Sequence, residues 1–246
     1  MLILYRIYQI FIMIPLLLVA TILAATVTIV GSMLGAQRSM GYWPGHIWAR
    51  IFSVLSLVRV KVNGRDNIDP DTSYVFVANH QGAYDIFAIY GYLGHNFRWM
   101  MKKGLEKIPF VGYSCRVSGH IFVDNSTPSA TARTMEAAEK QLSGGMSVVV
   151  FPEGSRSRDG KMHAFRRGAF KLATEFSLPI VPITIDGAYR VMRRGAILPH
   201  WGTINLTIHE PIEVSAETGR HELAEVMEKS SEAIASALPL SQRPAK

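Results

Sequence analysis

A single cysteine, Cys115, in a chain of 246 residues leaves no partner for an internal disulfide, which rules out a disulfide-stapled secreted module. Zinc-ligand spacing is also missing: His163, His200, His209 and His221 are scattered singly, so no metal is expected. There is no Gly-x-Ser-x-Gly elbow, and a serine hydrolase of that type lacks its nucleophile. Gly154-x5-Gly160-Lys161-Met162 imitates a phosphate-binding loop but has one residue too many and no Ser or Thr after the Lys. Charged side chains are scarce at 18% against 48% apolar, which excludes a disordered chain. The most informative absence is local: no acidic residue occurs before Asp66.

Within that stretch lie Arg6, Arg38, Arg50, Arg59, Lys61 and Arg65, which account for nearly all of the net charge of +7. The remaining 20 basic side chains face 19 acidic ones. The basic excess therefore coincides with the most apolar part of the chain. This pairing points to anionic lipid headgroups, which attract about 1 kcal/mol per nearby Lys or Arg. A nucleic-acid reader would carry its basic stripe on the folded domain, so no nucleic-acid partner is expected.

No charged side chain separates Arg6 from Arg38, and Leu16 to Gly35 covers about 20 residues, roughly 30 Å of helix. A signal-peptide core is shorter. Pro15 interrupts the early part, and Gly41-Tyr42-Trp43-Pro44-Gly45 closes the segment with interfacial aromatics and turn formers. A second apolar run, Ile47 to Val60, carries Arg50 and Arg59. Two arrangements fit: one transmembrane helix followed by an interfacial one, or a helical hairpin dipping into one leaflet. Either way the basic cluster from Arg38 to Arg65 places the remainder of the chain on the cytoplasmic face of a membrane.

Beyond residue 60 short β-rich runs alternate with helical ones. Strands are expected at Tyr74–Ala78, Ile121–Val123, Ser147–Phe151, Ile180–Ile185 and Thr203–Ile208. Helices are expected at Asp85–Tyr92, at Thr131–Leu142 with Ser129 as N-cap, at Arg167–Phe176 and at 216–237. The pattern predicts an α/β fold: a mixed, mostly parallel sheet flanked by helices, with an N-terminal membrane-embedded helical segment. The expected division is 1–60 for membrane-embedded or interfacial helices, 61–240 for the α/β domain and 241–246 for a tail.

Two loops draw the chemistry together. Asn79-His80-Gln81-Gly82-Ala83-Tyr84-Asp85 follows a strand, and in open α/β sheets ligands bind at carboxyl ends of strands. A turn at Gly82 would bring the Asp85 carboxylate to one nitrogen of His80, leaving the other to take a proton from a hydroxyl. Alone, the pair also fits two caps, His80 on a turn and Asp85 on a helix. Phe151-Pro152-Glu153-Gly154-Ser155-Arg156 ends a second apolar strand. Its carboxylate suits a ligand hydroxyl and its guanidinium a phosphate.

His80-x4-Asp85 and Phe151-Pro152-Glu153-Gly154 resemble the first and third motifs of the 1-acylglycerol-3-phosphate acyltransferases, a family of glycerolipid acyltransferases. Lys102-x2-Leu105-x6-Gly112 is similar to most of the second motif and Val181-Pro182-Ile183 to the fourth. Ser155-Arg156-Ser157-Arg158 and Phe165-Arg166-Arg167-Gly168-Ala169 also read as family-like. The resemblance implies acyl transfer in phospholipid synthesis: the sn-2 hydroxyl of 1-acylglycerol-3-phosphate takes a fatty acyl group from acyl-CoA or acyl carrier protein, giving phosphatidic acid. It implies His80 and Asp85 as catalytic residues. Lys102, Glu153, Gly154, Ser155, Arg156 and Pro182 would bind substrate, with the acceptor phosphate near Arg156 and Lys102 and an amide of the Gly154-Ser155 loop at the oxyanion. Membrane lipids and the acyl donor are the implied partners, with no cofactor. Two departures stand out: Asn125 occupies the position of an Arg thirteen residues after Gly112, and Gly82 replaces the more usual Ser. Asn125 invites other acceptors, a lysophospholipid or an acylated amino acid. A catalytically inactive lipid-binding protein is the alternative of another class.

Overall fold

The computed structural model describes residues 1–124, 126–214 and 220–244. An apolar helix α1 (Leu2–Met40) leads through Gly41 and Tyr42 into α2 (Trp43–Leu55). There follow β1 (Val58–Asn63), β2 (Val75–Ala78), α3 (Tyr84–Tyr92), β3 (Phe97–Lys102), α4 (Val111–Val117), β4 (Ile121–Val123), α5 (Pro128–Ser143) and β5 (Ser147–Val150). The chain continues with α6 (Gly168–Glu175), β6 (Ile180–Asp186), α7 (Ala188–Met192), β7 (Gly202–Ile208) and α8 (Arg220–Ser236). Asn125, the start of the helix expected at 216–237 and the end of the expected tail lie outside the described residues.

The seven strands form one mixed sheet in the order β1-β7-β6-β2-β5-β3-β4. Every pair is parallel except β6 with β7. The carboxyl ends of β2, β3, β5 and β6 therefore share one edge, which the starts of β1 and β7 join. Helices cover both faces, so the inner strands are apolar throughout. Phe76 and Ala78 pack with Ala88, Ile89 and Leu93 on one face, while Val75 and Val77 pack with Ala138, Phe170 and Leu172 on the other.

Several boundaries depart from the sequence expectation for identifiable reasons. The α5 cap is Thr127, not Ser129: its side chain accepts from the Ala130 N–H at 3.1 Å, and Pro128 opens the helix. Strand β1 was hidden in the apolar run ending at Val60, although Val58, Val60 and Val62 alternate with Arg59 and Lys61. The helix before it stops where Leu57 takes φ 56. Strand β3 has no alternation to read because it includes the buried Arg98, whose guanidinium donates to the carbonyls of Gln37 and Arg38 at 3.0 and 3.1 Å. That contact ties the far end of α1 to the sheet.

The two N-terminal helices form a hairpin. Trp48 Nε1 donates to Thr21 Oγ1 at 2.9 Å, and the Tyr5 and Tyr8 hydroxyls donate to the carbonyls of Ser56 and Leu55 at 2.8 and 2.9 Å. Helix α2 is the inner layer, with Trp48 and Phe52 against Phe87 of α3. Helix α1 is the outer layer and keeps large apolar side chains exposed, among them Phe11, Leu18, Leu23 and Leu34. Its mean hydropathy is 2.7 over its most apolar window, long and apolar enough to cross a membrane, and it points to membrane association. Arg6 and Gln9 both donate to the Pro199 carbonyl, at 3.0 and 2.8 Å, just before β7. The start of the apolar helix thus reaches the edge where β2 and β5 end.

Candidate active site

Strand β2 ends at Ala78, and Asn79 continues its pairing with a side chain. The buried Asn79 amide donates to the Ile185 carbonyl at 2.9 Å and accepts from the Ile185 N–H at 2.8 Å. The chain then turns. Asp85, at the start of α3, is fully buried and accepts three hydrogen bonds at one oxygen: from the N–H of Gln81 at 2.7 Å, from that of Gly82 at 2.8 Å and from His80 Nδ1 at 2.8 Å. A carboxylate oxygen that takes two backbone donors is held as an acceptor, so Nδ1 carries the proton and Nε2 presents a lone pair. His80 and Asp85 are thus brought together, and Asp85 serves as cap and orienting group at once.

The His80 ring is also clamped from its face. It stacks on Phe151 with centroids 3.9 Å apart and planes 11° from parallel, and Phe151 stacks in turn on Trp99 at 5.6 Å. Its peptide is pinned at both ends: the N–H donates to Glu153 Oε1 at 2.7 Å, and the carbonyl accepts from the Ser157 N–H at 2.8 Å. The loops after β2 and β5 therefore form one unit at one edge of the sheet.

This corrects the role expected of Glu153. Its second oxygen accepts from the His163 N–H at 3.0 Å, and the residue is only 6% exposed. Glu153 is a strut between three loop segments and has no oxygen turned out to a ligand hydroxyl. Burial pushes its carboxyl up to about 7 against the pull of those two N–H donors, with Asp85 and Asp159 adding to the rise. The native state then holds a proton that the unfolded chain releases above about 4.5. Stability carried by this group falls as pH rises from 4.5 to 7, by on the order of 3 kcal/mol. Thermal melts of the parent and of Glu153→Gln across that range are expected to show the parent's advantage shrinking as pH rises. Buried histidines such as His120, pushed down to about 3 by desolvation, pull the other way and cancel in that comparison.

The Gly154 N–H is also committed, closing a turn on the Phe151 carbonyl at 3.0 Å, so it is not free to meet an oxyanion. Gly154 has φ 74, and a Cβ there would fall 2.9 Å from Arg166 Nε. Ser155 and Arg156 are half-exposed on the same turn, and Arg156 has no acidic partner among the described residues. Lys102, the last residue of β3, is exposed at the same edge, without an ion pair among the described residues. Arg116 is instead ion-paired with Glu106 at 2.6 Å. Pro182 stands apart from the rest: it is buried within β6 in register with Val77, in the body of the sheet, and has no surface to offer a ligand. Its place is in the interior of the sheet beside β2.

Sequence reasoning missed Asn79, Phe151, Ser157 and Arg166. The signal for Phe151 was its place in the Phe-Pro-Glu-Gly run, and that for Arg166 its place in the Phe165–Ala169 segment. Neither position said what it would touch. Truncating Phe151 to alanine is expected to lower kcat about tenfold with little change in KM, because it frees the imidazole plane without touching a substrate group. A matching rise in KM would count against that role.

The model of the family described as "Acyltransferase" matches residues 59–186, just over half of the chain. Similar curated proteins include the chloroplastic 1-acyl-sn-glycerol-3-phosphate acyltransferase LPAT1 of Arabidopsis thaliana, 32% identical over 78% of this chain. The alpha form of 1-acyl-sn-glycerol-3-phosphate acyltransferase from Homo sapiens is 36% identical over 52% of this chain. The chain spans 55% of the first relative's length and 46% of the second's. Among solved structures, the 1-acyl-sn-glycerophosphate (LPA) acyltransferase PlsC from Thermotoga maritima superposes with a TM-score of 0.76 at 27% identity, covering 92% of this chain and 91% of that one. With the motif residues gathered at one sheet edge, this chain belongs to the acyltransferase family that includes the 1-acyl-sn-glycerol-3-phosphate acyltransferases.

Proposed function

We propose that the chain transfers a fatty acyl group from acyl-CoA or acyl carrier protein to the sn-2 hydroxyl of 1-acylglycerol-3-phosphate, giving phosphatidic acid for phospholipid synthesis. The observation that carries this reading is the 2.8 Å contact between His80 Nδ1 and Asp85 Oδ2, beside the Glu153 loop, with Nε2 left to accept. The acceptor enters at the membrane surface, its phosphate met by Lys102, Arg156 and Arg166. His80 Nε2 takes the hydroxyl proton as the oxygen attacks the thioester carbonyl. The C–O bond forms, the C–S bond breaks, and the imidazolium returns its proton to the leaving thiolate.

Direct transfer fits the site, because no Ser hydroxyl or Cys thiol is hydrogen-bonded to the His80 imidazole among the described residues. A thioester is already activated, so a base worth about 10²–10⁴ together with positioning is enough. The positive-inside arrangement of Arg38 to Arg65 supports a cytoplasmic-facing domain. Turnover on lysophosphatidic acid should exceed that on a zwitterionic lysolipid of the same chain by about tenfold or more, since desolvated phosphate–cation pairs carry the difference. Equal rates would shift the assignment to another lysolipid acceptor, as Asn125 invites.

A further inference from the structure

The segment after β6 builds a second cationic site that the chemistry at His80 does not use. Helix α7 and the loop to residue 200 line a cavity of about 580 Å³ with Tyr189, Arg190, Arg193, Arg194 and His200. That volume lies in the range of small-ligand sites. Arg193 and Arg194 are exposed, and neither guanidinium group has a hydrogen-bond or ion-pair partner among the described residues. Arg190 reaches only Asp186, at 3.4 Å. Three guanidinium groups around one concavity repel one another unless an anion joins them.

The cavity's position narrows what that anion is. Its wall is bonded to the catalytic turn: Gly82 bridges to Arg193, and the Ala83 N–H donates to the Met192 carbonyl at 3.0 Å. It therefore borders His80 on the β6–β7 side. The cations assigned to the acceptor phosphate, Lys102, Arg156 and Arg166, border His80 on the β5–β3 side. In a direct transfer the thioester and the attacking hydroxyl meet at His80 from different directions, which leaves the β6–β7 side to the donor. One of the two donor classes ends in a compact polyanion, with a diphosphate and a ribose phosphate carried on an adenosine. Planar guanidinium groups match phosphate bidentately and stack on a base. The half-buried Tyr189, held by its hydroxyl to the Arg158 carbonyl at 3.0 Å, adds an aromatic surface.

We propose that this arginine cavity binds the phosphoadenosine diphosphate portion of acyl-CoA while the thioester lies at His80. The proposal rests on the acyl-transfer reading above and names the side from which its donor enters. The test uses the full chain in mixed micelles and a double variant, Arg190→Ala with Arg194→Ala, which spares the Arg193 backbone at the catalytic turn. Desulfo-CoA binding is measured by calorimetry, and KM is measured for acyl-CoA and for acyl-pantetheine, which has no nucleotide. The expected result is a tenfold or greater weakening of desulfo-CoA binding and an equal rise in KM for acyl-CoA. KM for acyl-pantetheine and the melting temperature stay unchanged.

A change below twofold for desulfo-CoA and acyl-CoA overturns the proposal. An equal rise for both donors also overturns it, since the arginines would then act on the acceptor or the fold. Loss of binding to anionic vesicles without a change in desulfo-CoA affinity assigns the cavity to lipid headgroups, and an effect on acyl carrier protein alone assigns it to that carrier. Each of these overturns it. If the parent transfers from no thioester, the acyl-transfer reading fails, while desulfo-CoA binding by parent and variant still decides the cavity.

Discussion

Replacing His80 with alanine is expected to lower acyl transfer by about three orders of magnitude while leaving the fold intact, the loss of a positioned general base. The fold survives because Asp85 Oδ2 keeps its two backbone donors, Gln81 and Gly82, when the imidazole goes. Glu153 likewise keeps the residue-80 N–H, which belongs to the backbone. The melting temperature and membrane association should therefore match the parent. Asp85→Asn separates the two roles of the carboxylate. The same oxygen takes the turn amides and Nδ1, so an asparagine oxygen there keeps all three contacts, but the neutral amide no longer stabilises the imidazolium that forms as His80 takes the hydroxyl proton. That variant should fold and lose nearly as much activity. Retention of a tenth or more of the parent rate in His80→Ala would remove the imidazole from the mechanism.

The second large effect comes from placing at position 82 the serine that the motif resemblance leads one to expect. Gly82→Ser is expected to damage this protein, because the space a side chain needs is already filled. A Cβ at position 82 would lie 2.4 Å from the Ala188 carbonyl oxygen and 2.9 Å from that of Met192. Both are backbone atoms of α7, and the Gly82–Arg193 bridge holds the segments in contact. Glycine is required here by close approach and not by backbone angle, since its φ lies outside the left-handed region. Forcing α7 away costs about 2–3 kcal/mol, read as a fall of several degrees in melting temperature. It also shifts the turn that carries the His80–Asp85 pair, and a displacement near 1 Å costs about 10²-fold in kcat. Gly82→Ala should reproduce both losses because it adds the same Cβ. A serine variant with parental stability and rate would show that α7 yields freely.

The sheet was legible where periodicity and punctuation agreed. Val75–Ala78, Ser147–Val150 and Ile180–Asp186 are apolar runs followed by turns, and buried parallel strands read that way. Strand β3 was not legible because its one charged side chain is satisfied by carbonyls some sixty residues earlier in the chain, a contact that no local pattern announces. Within the site, the spacing of His80 and Asp85 alone also fitted two caps, and it was the Phe151–Arg156 loop and the family-like motifs in order along the chain that pointed to the pair as catalytic. Glu153 itself was misread. A carboxylate in a loop after a strand looks the same in sequence whether it faces a ligand or two backbone amides, and only the fold brings the His163 N–H to its second oxygen. Pro182 marks a strand interior, and its burial follows from β6 lying between β2 and β7. The stacking of His80 on Phe151 joins positions 71 residues apart and is a property of the assembled edge.

Thiol release from acyl-CoA, followed with and without lysophosphatidic acid, tests the central claim most directly: a hydroxyl deprotonated by His80 attacks the donor in one step. No release is expected before the acceptor is added, and one thiol per phosphatidic acid formed afterwards. A burst of thiol equal to the enzyme present, before any acceptor, would instead reveal an acyl-enzyme and contradict that claim.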